Sequence, residues 1–223
     1  SNPALDTVLE FVNSAGTVLA RSQDNTTLTS FGVTALPLTK TNTLGGDFYA
    51  TTTRDAGLRV FTHGAAGTSN TYFVRVRSNP LGGNLGDLNG GLTSGEYTLQ
   101  IRLGQLDETP GVSVQFADIR YATNGIHVRG LPYHSPLTGE SSEDGTSDAA
   151  NNATAGAIYL GNLLSSERNA FSAGGALSGA TDIDFYRFRV DYTNIQQIGG
   201  LSDGGKTWAT VIDLDWADGL TRP

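Results

Sequence analysis

Hydrophobic and polar residues alternate over short stretches of this chain, which is the period of a β-strand. Residues 5–12, L-D-T-V-L-E-F-V, put Leu5, Thr7, Leu9 and Phe11 on one face and Asp6, Val8, Glu10 and Val12 on the other. Asn13-Ser14-Ala15-Gly16 reads as a turn, and Thr17 to Ala20 as the return arm of a hairpin. The same pattern predicts strands over Leu58 to Thr62, Thr71 to Arg77, Glu96 to Leu103, Phe171 to Leu177, Asp184 to Val190 and Thr207 to Trp216. Ile158 to Leu163 is an apolar run, Val112 to Ile119 fits a strand or a short helix, and Ile126 to Arg129 fits a short strand. Residues 21–47 read as a long loop with short strand pieces. Residues 78–95, rich in Gly and Asn, form an excursion that cannot be a strand interior. No long amphipathic helix is predicted. The expected class is an all-β antiparallel β-sandwich, jelly-roll-like, completed within the chain or by strand exchange between units.

Composition sharpens this picture. The 223 residues include 29 Gly, and Lys40 and Lys206 are the two lysines. A Gly- and Thr-rich chain poor in helix formers suits short strands joined by turns. The net charge of −8 argues against a nucleic-acid partner, because phosphate recognition needs clustered Lys and Arg. It permits cation binding, and equally it can serve solubility alone. Cys is absent, which excludes disulfides, thiolate metal sites and a cysteine nucleophile. No apolar run approaches a membrane span, so membrane insertion is not expected.

Two stretches carry a family resemblance. D-A-A-N-N-A-T-A-G-A-I-Y-L-G (148–161) is followed by F-S-A-G-G-A-L-S-G-A-T-D-I-D-F-Y-R-F-R-V (171–190). Through Asn151, Asn152, Gly174, Leu177, Gly179, Asp182, Asp184, Phe185, Tyr186 and Phe188 they resemble the opening of the bacterial pre-peptidase C-terminal domain, related to collagenase collagen-binding modules. Residues 5–25, T-Y-F-V-R-V-R and G-E-Y-T-L-Q-I-R resemble that family's closing half, so the halves stand in permuted order. The resemblance implies a back half over residues 1–105, a connector over 106–147 and a front half over 148–223. It also implies that the last strand pairs with Leu5 to Val12. One period of a tandem array, a circular permutant and arbitrary fragment boundaries each account for the order, and the linker-like connector favours the first. The implied function is a non-catalytic, secreted structural repeat of a cell-surface or extracellular filament protein. Its partners would be copies of itself or adjacent repeat units, joined head to tail by strand complementation. The alternative is a calcium-stabilised module that binds collagen or another extracellular polymer for a secreted peptidase.

Calcium is the implied cofactor, with Asp148, Asn151, Asn152, Asp182 and Asp184 as ligands carried over from the resemblance. Ca²⁺ takes six to eight oxygen ligands, which separate loops can supply. Ala149 and Ala150 stand where an acid is expected, and Asp182 and Asp184 could instead cap a turn. Asp24, Asp213, Asp215 and Asp218 form a weaker second set. No catalytic residues are expected: His63, His127 and His134 lie in unrelated contexts, and no hydrolase or metalloprotease motif is present. Tyr49, Tyr72, Tyr97, Tyr121, Tyr133 and Tyr186 could line a polymer-binding face, or pack in the core.

Overall fold

The computed structural model describes residues 5–24, 27–37, 55–62, 67–80, 82–104, 137–139, 151–165, 170–191, 193 and 209–215. Among the described residues, twelve strands run in chain order: β1 (Thr7–Asn13), β2 (Val18–Ser22), β3 (Leu28–Ser30), β4 (Ala35–Pro37), β5 (Gly57–Phe61), β6 (Ser69–Ser78), β7 (Gly95–Gly104), β8 (Leu137–Gly139), β9 (Ile158–Asn162), β10 (Ala170–Leu177), β11 (Ile183–Asp191) and β12 (Ala209–Asp215). Short 3₁₀ turns at Thr154–Gly156 and Leu163–Ser165 flank β9. The strands form two six-stranded sheets. The first, sheet A, has the order β3-β2-β1-β6-β11-β9, and the second, sheet B, has the order β4-β5-β12-β7-β10-β8. The fold is an all-β sandwich. Most pairs are antiparallel, and the edge strands β9 and β8 run parallel to β11 and β10.

The hairpin β1–β2 forms where the alternation puts it. The Asn13 side-chain oxygen accepts from the N–H groups of Ala15 and Thr17, and Gly16 sits at φ +82°, which a residue with a Cβ rarely adopts. Leu9 and Phe11 of β1, Val74 and Val76 of β6, and Tyr186 and Phe188 of β11 face inward from sheet A. Leu58, Leu99, Ile101, Ala173, Ile212 and Leu214 meet them from sheet B. Burying such side chains is worth about 1.5–3 kcal/mol each relative to exposure.

One sequence expectation needs correction. The last strand, β12, does not pair with Leu5 to Val12. It lies in sheet B between β5 and β7, with Ile212 opposite Leu58 on one side and Ile101 on the other. The segment 5–12 belongs to sheet A, where β1 pairs with β2 and β6. The physical reason is that both edges of β1 are hydrogen-bonded, to β2 and β6, while β12 satisfies its own two edges between β5 and β7.

A further feature is the burial of the outer face of sheet A. An antiparallel sheet commonly leaves one face in water. Here Val8, Glu10 and Val12 are as buried as Leu9 and Phe11. The excursion after β6 folds back over this face. Asn79 donates from its backbone N–H to the Asp6 carbonyl at 2.9 Å and from its side chain to the Asp6 carboxylate at 3.0 Å. Leu88 packs on a second small apolar cluster of Val12, Phe73, Ile183 and Phe185. Arg77 donates to the Leu85 carbonyl.

Candidate functional site

The Asn-Asn stretch before β9 fastens onto the start of β11. The Phe185 N–H donates to the Asn151 carbonyl at 3.0 Å, and the Ile183 N–H donates to the Asn152 side-chain oxygen at 3.3 Å. Ile183 and Phe185 belong to the outer cluster, so alternation turns Asp184 inward, towards sheet B. There Tyr97 of β7 donates its hydroxyl to one Asp184 oxygen at 2.5 Å, and the Asn151 amide donates to the other at 3.1 Å. The Tyr97 and Tyr186 hydroxyls are 2.9 Å apart. Asp184 and Tyr186 are fully buried. Gly175 of β10 leaves room for this group, since a Cβ there would stand 2.6 Å from the Tyr186 hydroxyl oxygen.

Asp182 plays a different part. One of its oxygens accepts from the Ser178 N–H at 2.6 Å, and its own N–H donates to the Gly179 carbonyl at 3.3 Å. This caps the turn between β10 and β11. Its other oxygen, Oδ1, is buried and has no hydrogen-bond partner.

Four of the five residues expected at a calcium site therefore converge on one end of β11. Asp148 lies outside the described residues. As arranged, most of their side-chain oxygens are engaged by protein donors. Both Asp184 oxygens accept hydrogen bonds, the Asn152 oxygen is engaged by Ile183, and Asn151 turns its amino group to Asp184. Asp182 Oδ1 has no hydrogen-bond partner, and among the described residues no three acidic or histidine side chains gather to hold a metal. The group links the two sheets and fixes the loop before β9.

Of the second acidic set, Asp213 and Asp215 lie on β12, while Asp24 stands after β2 and its side-chain oxygen accepts from the Thr27 N–H. Asp218 and the three histidines lie outside the described residues. Tyr97 and Tyr186 are buried, Tyr72 packs on Phe11 and Phe188, and Tyr49, Tyr121 and Tyr133 lie outside the described residues.

Sequence reasoning missed a second constellation, on the outer face of sheet A. Glu10 of β1 is fully buried and faces three guanidiniums: Arg21 Nε at 2.5 Å, Arg75 Nε at 2.5 Å and Arg77 Nε at 3.3 Å. Register explains the meeting, because Glu10 is directly opposite Arg21 on β2 and Arg75 on β6. Burial pushes the Glu10 pKa up, but the hydrogen bonds and charges of Arg75 and Arg77 outweigh it and hold the carboxyl below its ordinary value. Arg75 also lies 5.5 Å from the centre of the Phe185 ring, and Arg21 5.5 Å from that of Phe31. The signal was present in the sequence: R-V-R at the end of β6 puts two arginines on the same face as Phe73.

Among the described residues, no helix is long and apolar enough to cross a membrane. Comparisons of the chain with family models, with curated proteins and with solved structures returned no match.

Proposed function

We propose that this chain is a non-catalytic β-sandwich unit of an extracellular or cell-surface protein, acting as a structural repeat. One observation carries the reading: segment 5–104 and segment 151–215 build both sheets together. In sheet A, β6 pairs with β11 along Ser69–Arg77, and in sheet B, β7 receives β10 on one edge and β12 on the other. Each segment alone would leave long apolar edges unpaired. The likeness of 5–25 and 148–190 to the two halves of a pre-peptidase C-terminal domain supports the same view.

In an array of such units, this pairing can be made within a unit or between neighbours, since exchange of identical elements preserves every contact. Closure within one chain leaves β6, β7 and β12 with both edges paired, so the isolated chain is expected to be a monomer. Light scattering over a wide concentration range checks this. Open-ended association that grows with concentration would instead favour head-to-tail complementation.

The second reading is a calcium-stabilised, polymer-binding accessory module. Its support is the unbonded Asp182 Oδ1. A cation bound only to the native state raises the unfolding midpoint. The hydrogen-bonded arrangement of Asp184 leads us to expect the same midpoint with calcium and with a chelator. A fall on chelation would revive the calcium reading.

A further inference from the structure

We propose that the outer face of sheet A carries an oxyanion-binding site, formed by the terminal amino groups of Arg21 and Arg75 around Glu10. Such a site does not depend on the repeat-unit reading. One carboxylate faces three guanidiniums, which leaves a surplus of two positive charges. The side chains are little exposed: 16% for Arg21, 11% for Arg75 and 2% for Arg77. Such a surplus is costly away from bulk water unless further partners offset it. Arg77 has one in the Leu85 carbonyl, and the Phe31 and Phe185 rings offer Arg21 and Arg75 weaker ones.

The geometry leaves donors free. Arg21 and Arg75 each present Nε to Glu10. A guanidinium carries five N–H donors in a fixed fork, so one bond from Nε leaves the four donors of the two terminal amino groups unused by that carboxylate. Those of Arg21 and Arg75 donate to no described residue. They are not among the buried atoms lacking a partner, so they keep contact with solvent. Glu10 and the rings lock the two forks in place, which lowers the entropy lost when an anion docks. The matching chemistry is a sulfate or phosphate group, free or carried on a polymer. The whole chain bears −8, so a cationic site here does not follow from overall composition.

The experiment uses the full chain and sodium sulfate at low millimolar concentration, against sodium chloride at equal ionic strength. Low concentration matters because sulfate stabilises proteins generally when concentrated. The expected result is a saturable rise in the unfolding midpoint with sulfate and not with chloride. Arg21→Gln should weaken the apparent affinity about ten-fold, the loss of roughly one charge-assisted hydrogen bond. Arg21→Lys, which keeps the charge but not the fork, should recover only part of it. Arg187→Gln should bind like the unaltered chain, because Arg187 is exposed and stacked on Tyr159 at 4.8 Å. Equal responses to sulfate and chloride, or equal losses in the Arg21 and Arg187 variants, would overturn the site. Retention on dextran sulfate but not on dextran, with release by free sulfate, assigns a polymer-borne group. Sulfate binding without retention assigns the free ion.

Discussion

At the residue scale, Glu10 shows how a charge can be held inside a sheet surface. Its burial is tolerable only because the arginines of three neighbouring positions reach it across the strands. Glu10→Gln would remove the carboxylate and leave the guanidiniums facing one another. Breaking a buried pair from one side typically costs about 3–5 kcal/mol, so the variant should lose a large share of the stability measured by urea unfolding. A loss below about 1 kcal/mol would mean that water screens the cluster. The same group sets an acid limit. Its folded pKa lies below the ordinary value of 4.5, so its contribution is complete above that pH and fades as pH falls through the folded value. Stability should therefore drop below about pH 4.5, and Glu10→Gln should flatten that part of the profile.

At the element scale, most strands were legible because alternation is a direct image of a pleated sheet with a defined inner face. Leu9, Phe11, Val74, Val76, Leu99 and Ile101 recur every second residue and all reach the core. Three features escaped that logic. The burial of the outer face depends on a loop, and periodicity cannot say where Leu88 will land. The inward turn of Asp184 was present in the alternation of D-F-Y-R-F-R-V. Its partner Tyr97 is 87 residues away along the chain, and local pattern holds no trace of such a contact. The short strands β3 and β4 have three residues each, too few for a period to show. Four of the residues named for one site meet in the fold, while the partners that Asp184 finds there were not legible. A carboxylate meant for solvent-facing loops and one buried between sheets look alike in sequence.

At the scale of the whole molecule, the order of strands decides how stability is shared. β12 comes last among the described strands yet sits at the centre of sheet B, and β11 holds β6 against β9 in sheet A. No plane through the sandwich separates segment 5–104 from segment 151–215 without cutting a ladder. The two segments should open together, because losing either strips the other of its neighbours. Ile212→Ala tests this. Ile212 is fully buried and lies between Leu58 and Ile101, so truncation should cost about 2–5 kcal/mol. If the core is shared, hydrogen exchange should quicken by similar factors in peptides from β5, β7 and β12, and in those from β6 and β11 of the opposite sheet. Quickening confined to β10, β11 and β12 would mean that the later segment is a cooperative unit of its own. In that case its docking onto β6 and β7 would be the weak link, and exchange with a neighbouring chain would become the natural way for such units to assemble.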